Sequence, residues 1–131
     1  MSRIYLDSSV ALRTILDVPE RGRLLQWMQK SGMVYVSSRL LRTEVIRVLR
    51  REGRSLKEAA PLLDRVGILD LTSETHTIAE SIERHINTLD ALHLATALLV
   101  GEPMIIATHD ANMKLVAKDL GFDVVDPVET H

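Results

Sequence analysis

Four acidic side chains occupy positions from which an α/β fold would bring them together. Asp7 follows a short apolar run near the start of the chain, and Asp110 follows the most strand-like run in the sequence. Asp90 lies in the first turn of an apolar helical segment, and Glu44 lies less than two turns into another helix. Ligand sites in open α/β sheets form beyond the carboxyl ends of the strands. The four carboxylates are therefore expected at one edge of the sheet.

Four such carboxylates predict a divalent cation site. Ionised carboxylates at one place raise each other's pKa, and a hard cation relieves that repulsion. Mg²⁺ prefers carboxylate and water oxygens, often with substrate phosphates completing its coordination. A cation held in this way polarises a phosphoryl oxygen and generates a hydroxide-like nucleophile. The chemistry predicted from the residues is metal-dependent hydrolysis of a phosphodiester.

Each acid also has a structural explanation of its own. Asp7 and Asp110 are suited to capping the helices that follow them. Asp90 suits the positive end of a helix dipole, and Glu44 is spaced to pair with Arg47 three residues later. These alternatives stay open residue by residue, but four together favour a site over coincidence. The hydroxyls of Ser8 and Thr108 are candidates for orienting ligand carboxylates, with capping as an equal alternative.

His93 is three residues beyond Asp90 and can share its helix face. Acid and histidine pairs at this spacing occur in metal centres of helical bundles, but the matching pair on another helix is missing. The sequence therefore favours a hydrogen-bonded structural histidine over a metal ligand.

The elements that must position these residues alternate between strand and helix. The predicted strands cover residues 4–6, 33–36, 68–71, 103–107 and 123–125, and the predicted helices cover 10–16, 19–32, 38–52, 55–66, 73–86, 89–100 and 111–120. This alternation indicates a single α/β domain over residues 1–131, with helices on both faces of a central, mostly parallel sheet. The helix over 89–100 is apolar on most sides, so it is expected to be buried, with Thr88 as its N-cap.

The third of these helices is predicted to have two faces. Leu41, Val45 and Leu49 form an apolar stripe, while Arg47, Arg50, Arg51 and Arg54 share the other side. Arg39 and Arg42 add charge near its start. A solvated surface and a phosphate-attracting surface explain this arginine face equally well.

Composition narrows the function class. The chain has 131 residues, no cysteine and a formal net charge of -2. Thiol chemistry and cysteine-ligated metal sites are thereby excluded, and a reducing, cytoplasmic location is expected. No segment is long and apolar enough for a signal peptide or a membrane span, so no membrane partner is expected. The glycine-rich dinucleotide loop, the phosphate-binding loop and the Gly-x-Ser-x-Gly elbow are all missing.

Four stretches of the sequence resemble the PIN-domain ribonucleases, specifically the VapC-type toxins of toxin–antitoxin pairs. The matching stretches are residues 4–12 (IYLDSSVAL), 43–45 (TEV), 89–97 (LDALHLATA) and 106–110 (IATHD). The resemblance implies a three-layer α/β/α PIN fold over the whole chain. It also implies that Asp7, Glu44, Asp90 and Asp110 hold Mg²⁺ or Mn²⁺, and that a metal-activated water cleaves RNA.

The resemblance implies two supporting residues and two protein partners. Thr108 matches the hydroxyl residue that helps to order the metal site. Asn112 stands where some relatives have a further acid, which leaves the number of metal ions open. The expected partners are an RNA substrate, a VapB-like antitoxin and a second copy of the chain in a homodimer.

The function predicted from the sequence is that of a Mg²⁺-dependent endoribonuclease toxin. The alternative is a catalytically silent PIN module that binds RNA or protein, and four retained acids argue against it. A phospho-acceptor signalling domain would need paired acids after the first strand. Asp7 is instead followed by Ser8 and Ser9, so this class is disfavoured.

Overall fold

A parallel five-stranded sheet forms the centre of the protein. The computed structural model describes residues 3–129, and all the structural statements below refer to them. The strand order is β3-β2-β1-β4-β5, and every neighbouring pair is parallel. The strands are β1 Arg3–Leu6, β2 Val34–Ser38, β3 Val66–Leu69, β4 Met104–Ala107 and β5 Asp123–Val125. The prediction of an α/β fold with a mostly parallel sheet is confirmed.

Seven α-helices connect or follow the strands within residues 3–129. They are α1 Ser8–Ala11, α2 Arg21–Lys30, α3 Arg39–Arg51, α4 Ala60–Leu63, α5 Ser73–Ser81, α6 Thr88–Val100 and α7 Ala111–Asp119. Short 3₁₀ turns at Leu12–Thr14 and Leu56–Ala59 adjoin α1 and α4. None of the helices in this range is long and apolar enough to cross a membrane.

The alternation of side chains along β1 divides the core into two layers. Ile4 and Leu6 pack on one face of the sheet against residues of α1, α2, α3 and α4. Tyr5 points to the other face, where it joins residues of α6 and α7, including Leu94 and Met113. Burial of apolar side chains on both faces stabilises a central parallel strand and explains why its sequence is almost continuously apolar. The three-layer α/β/α arrangement is thus confirmed.

Several predicted helix boundaries are corrected by local chemistry. The predicted helix over 73–86 ends at Ser81, because Ile82 is already extended with ψ 114°. The N-cap of α6 is Asn87 and not Thr88, since the Asn87 side chain accepts a hydrogen bond from the Asp90 backbone N–H. Pro61 within the predicted helix over 55–66 is expected to kink or split it, and the segment is divided there into the 3₁₀ turn Leu56–Ala59 and α4, with Pro61 in the first turn of α4, where an N–H is unpaired anyway.

The predicted arginine face of α3 is also corrected at one position. Arg54 lies beyond the end of the helix and bonds Glu58 at 2.6 Å and the Ile15 carbonyl at 3.0 Å. It is therefore partly buried and does not belong to the exposed face. The remaining arginines at 39, 42, 47, 50 and 51 are exposed, as predicted.

Candidate active site

The strand order creates a crevice between β1 and β4. From β1 the chain builds outward to β2 and β3, then crosses to β4 and β5 on the other side. The helices that follow β1 and β4 therefore leave toward opposite faces of the sheet and open a gap at the carboxyl edge. The Asp7 backbone N–H closes the pairing with a 3.0 Å hydrogen bond to the Ala107 carbonyl. The two predicted acids Asp7 and Asp110 follow these two strands.

Asp7 is almost completely buried, with 2% of its surface exposed. Its Oδ2 accepts hydrogen bonds from Ser9 Oγ at 2.7 Å and Thr108 Oγ1 at 2.8 Å. Its Oδ1 is also buried and has no hydrogen-bond partner within residues 3–129. A buried carboxylate oxygen without a partner is costly, so this atom indicates a site for a cation or donor. Asp7 makes no side-chain cap hydrogen bond to α1, which disfavours capping as its explanation.

Two hydroxyls tie the ends of β1 and β4 together around Asp7. Besides donating to Asp7, Thr108 Oγ1 accepts the Asp110 backbone N–H at 3.1 Å. Ser9 Oγ lies 3.3 Å from Thr108 Oγ1 and accepts the His109 backbone N–H at 2.9 Å. The Asp7 carboxylate is therefore held in a fixed orientation by groups from both strands.

Asp110 and Asp90 enter the site from the first turns of two helices. Asp110 caps α7, since its Oδ1 accepts the Met113 backbone N–H at 2.8 Å. Asp90 is held by Asn87, whose Nδ2 donates to Asp90 Oδ2 at 2.7 Å. Burial, and after it the nearby charges of Asp7 and Asp110, raise the pKa of Asp90 to about 6. Three of the predicted acids therefore lie close enough for the charges of Asp7 and Asp110 to disfavour ionisation of Asp90.

Glu44 lies in the second turn of α3 and is joined to α6 through His93. Its Oε1 lies 2.8 Å from Nε2 of His93, a side chain with no exposed surface. The expected pairing of Glu44 with Arg47 is absent from the ion pairs of the described residues. The preference for a hydrogen-bonded structural histidine at His93 agrees with this contact. Local spacing does not indicate that the partner of His93 is Glu44, which is 49 positions away.

Asp90 lies within electrostatic reach of Asp7 and Asp110, and Glu44 is linked to α6 only through His93, but the four predicted carboxylates are not in close contact. No three of their ligand atoms lie within 4.8 Å of one another; in residues 3–129 that distance is met only by His109, Asp126 and Glu129. In that other cluster the Lys114 ammonium lies 2.6 Å from Asp126 Oδ2 and 3.1 Å from Glu129 Oε1. Burial alone would raise the pKa of Asp126, but hydrogen bonds from Lys114 and His109 lower it to about 2. This second cluster is an ion-pair network with its own internal cation.

Two supporting residues differ from expectation. The hydroxyl that bonds Asp7 belongs to Ser9, and Ser8 makes no such bond in the described part of the chain. Ser8 and Ser9 are both residue types that cap helices, and only the path of the backbone after Asp7 determines which hydroxyl bonds its carboxylate. Asn112 is exposed and donates to the His85 carbonyl at 3.0 Å, which ties α7 to the loop before α6.

The sequence from residue 4 to residue 119 matches the family model described as the PIN domain. The chain belongs to the PIN-domain family. It is 34% identical over 130 residues to Ribonuclease VapC46 of Mycobacterium tuberculosis, covering 97% of this chain and 99% of that protein. The predicted resemblance to VapC-type ribonucleases is thereby confirmed.

Solved structures share the PIN fold at low sequence identity. VapC20 of Mycobacterium tuberculosis, a sarcin–ricin loop cleaving toxin, superposes with a TM-score of 0.73 at 19% identity, covering 95% of this chain and 99% of that chain. A toxin–antitoxin complex from Klebsiella pneumoniae gives 0.70 at 19% identity, covering 97% of this chain and 99% of that chain. These likenesses confirm the fold, and the VapC46 relationship confirms the predicted enzyme class, an endoribonuclease.

Proposed function

We propose that this PIN domain is the endoribonuclease toxin of a toxin–antitoxin pair and acts in the cytoplasm. In this proposal Asp7, Glu44, Asp90 and Asp110 hold a divalent cation, Mg²⁺ or in its place Mn²⁺. The observation that supports it most strongly is the buried, unpartnered Oδ1 of Asp7 at the crevice between β1 and β4. A cation offers that atom the partner that the protein does not.

The donor set fits a hard cation. All four side chains offer carboxylate oxygens, while the His93 ring bonds Tyr5 and Glu44 and the His109 ring bonds Asp126. Oxygen-only ligands favour Mg²⁺ or Mn²⁺ over zinc or copper. When bound, such a cation polarises a phosphoryl oxygen and lowers the pKa of water. VapC-type nucleases generally use a divalent metal, whereas Mg²⁺ as the specific ion is our proposal.

The side chains of the chain itself supply orientation. Ser9 and Thr108 fix one oxygen of Asp7 and leave the other facing the crevice. The first turn of α6 holds Asp90 close enough to Asp7, and to Asp110 at the N-cap of α7, for their charges to raise its pKa. Hydrolysis adds the oxygen of water to phosphorus and releases one ribose oxygen as a hydroxyl. Carboxylates held at fixed positions limit where that phosphorus can lie.

The proposed partners follow from the relatives. One relative is a ribonuclease and one structural neighbour is a toxin–antitoxin complex, which supports RNA as substrate and a VapB-like antitoxin as inhibitor. A homodimer is proposed as the toxin unit because VapC-type toxins commonly form one. The RNA species is left to the cleavage experiment.

The test compares cleavage of RNA by three purified, antitoxin-free proteins. Wild type, Asp90→Asn and Asp64→Asn are incubated with total RNA in Mg²⁺, in Mn²⁺ and in chelator. Asp64 is an exposed acid between α4 and β3, at the opposite edge of the sheet, so its variant controls for loss of one negative charge. We expect cleavage at discrete positions by wild type and Asp64→Asn with metal, and at least a 100-fold lower rate for Asp90→Asn.

Two results would overturn parts of this proposal. Equal cleavage by Asp90→Asn would remove Asp90 from the site. Binding of RNA by all three proteins without any cleavage would favour the silent PIN module.

A further inference from the structure

We propose that His93 and Tyr5 are positioning residues that hold Glu44 at the metal site through a directed chain of hydrogen bonds. This inference rests on the proposed function, because it assigns Glu44 as a ligand. It concerns two residues that contact neither the cation nor the RNA. The three side chains come from three different elements, namely β1, α3 and α6.

The geometry of the chain is complete from the core to the site. Tyr5 and His93 are both 0% exposed. The Tyr5 hydroxyl lies 2.6 Å from His93 Nδ1, and His93 Nε2 lies 2.8 Å from Glu44 Oε1. The two rings pack edge to face with centroids 5.6 Å apart, which fixes the plane of the imidazole. Glu44 makes no other side-chain hydrogen bond within residues 3–129, so Oε2 is left for a ligand.

The chemistry of the groups sets the direction of the chain. A carboxylate that binds a metal is ionised and only accepts hydrogen bonds, so Nε2 of His93 carries the proton. Nδ1 of the neutral ring is then an acceptor, and the Tyr5 hydroxyl donates to it. A phenol is protonated at neutral pH, so the Tyr5 hydroxyl has a proton to donate. Ser38 Oγ, 3.3 Å from Nδ1, is a weaker second neighbour on the same side.

The hydrogen bonds from Tyr5 through His93 to Glu44 are expected to affect metal binding, which a purely structural polar contact would not do. A hydrogen bond that only stabilised the fold would be satisfied by any buried acceptor, whereas this one ends on a site carboxylate that is 23% exposed. Partners that orient a metal ligand typically change metal affinity or activity by roughly 10- to 100-fold when they are removed. Loss of the chain is therefore expected to weaken metal binding more than folding.

The main test measures Mn²⁺ binding to the free protein by calorimetry or electron paramagnetic resonance. The variants are Tyr5→Phe, which removes only the hydroxyl, and His93→Gln, whose amide keeps one donor for Glu44. The matched control is Tyr35→Phe, since Tyr35 is also a buried tyrosine on a central strand, but its hydroxyl bonds Ser31 on the other face of the sheet. We expect a Mn²⁺ Kd about 10-fold weaker in Tyr5→Phe, a smaller loss in His93→Gln, and an unchanged Kd in Tyr35→Phe.

A metal-free measurement tests the same chain independently. Nitrogen-15 spectra of the His93 ring are expected to show the proton on Nε2 in wild type, with the Nδ1 signal shifted in Tyr5→Phe and the Nε2 signal shifted in Glu44→Gln. A ring protonated on Nδ1, or Mn²⁺ affinities equal in Tyr5→Phe and Tyr35→Phe, would overturn the positioning role. If wild type neither binds Mn²⁺ nor cleaves RNA, the proposed function fails, while the spectra still decide whether the chain exists as described.

Discussion

Asp7 shows how a single residue reveals the site. Its Oδ2 is fully bonded while its Oδ1 is buried without a partner, an asymmetry that no core packing requirement explains. Asp110 differs from Asp7, because it caps α7 and its charge also helps to raise the pKa of Asp90. The structural and functional interpretations of an acid at a helix start are therefore compatible, and only the unpartnered atom distinguishes them.

Thr108 is expected to matter more than a buried threonine usually does. Thr108→Val removes a donor to the buried Asp7 carboxylate and the acceptor of the Asp110 N–H, so each of these groups loses one partner. We expect a loss of about 2–3 kcal/mol in the free energy of unfolding, measured by urea denaturation at pH 7. Thr14→Val is the control, since Thr14 is buried but only donates to the carbonyl of Ala11. Equal losses in the two variants would contradict a special role for Thr108.

Helix α3 carries the proposed site residue Glu44 and, beside it, the cationic surface formed by its arginines. Glu44 borders the arginine face, and Arg47 and Arg51 are the arginines closest to it around the helix. Arg47 has no ion pair in the described chain, and Arg51 has only a long contact of 3.7 Å with Glu52. Guanidinium groups left free beside a hydrolytic site are suited to RNA phosphates.

Removal of these two arginines tests that role. In Arg47→Gln/Arg51→Gln we expect KM for RNA to rise several-fold with kcat retained, and the salt dependence of log affinity to fall by about 1–2 in slope. Lys30→Gln/Arg65→Gln is the charge-matched control, because both residues are exposed near the amino ends of β2 and β3. If both double variants bind RNA with the wild-type salt slope, the arginine face is only a solvated surface.

The elements were more predictable than their contacts. The continuous apolar run of β4 is stable only inside a parallel sheet that is covered on both faces. The apolar surface of α6 is stable only when it packs against that sheet. The ends of helices were less certain because neighbouring residues such as Asn87 and Thr88 are both good caps. The link from Glu44 to His93 could not be predicted, because it depends on how α3 and α6 cross the sheet edge and not on local spacing.

The proposed site lowers the stability of the whole protein when its carboxylates are ionised and no cation is bound. The crevice exists because the chain winds outward from β1 to β2 and β3 on one side and then to β4 and β5 on the other, and it collects acids from elements that are far apart in sequence. Burial and neighbouring carboxylates raise the pKa of Asp90 to about 6. The folded protein therefore binds a proton at Asp90 more tightly than the unfolded chain does. Without a cation, stability is expected to fall as the pH rises from about 4 through 6.

This cost predicts opposite effects of Asp90→Asn with and without metal. In chelator the neutral side chain escapes the penalty of ionisation, so the variant should melt at a higher temperature than wild type at pH 7.5 and at a similar temperature at pH 4.5. In Mg²⁺ at about 100 times its Kd, wild type should gain about 2.7 kcal/mol, while the variant gains much less. Thermal melting with and without Mg²⁺ measures both differences.

Asp64→Asn separates this linkage from a general effect of charge. Asp64 is exposed and distant from the crevice, so its variant should keep the wild-type response to both pH and Mg²⁺. An Asp90→Asn protein that is less stable than wild type in chelator at pH 7.5 would show that the ionised carboxylate stabilises the fold. The negative charges of the crevice would then be compensated by other groups of the protein, and no cation would be needed. If the site is built around a cation, Asp90→Asn must melt at a higher temperature than wild type in chelator. This advantage must disappear when Mg²⁺ is added, because Mg²⁺ stabilises wild type more than the variant.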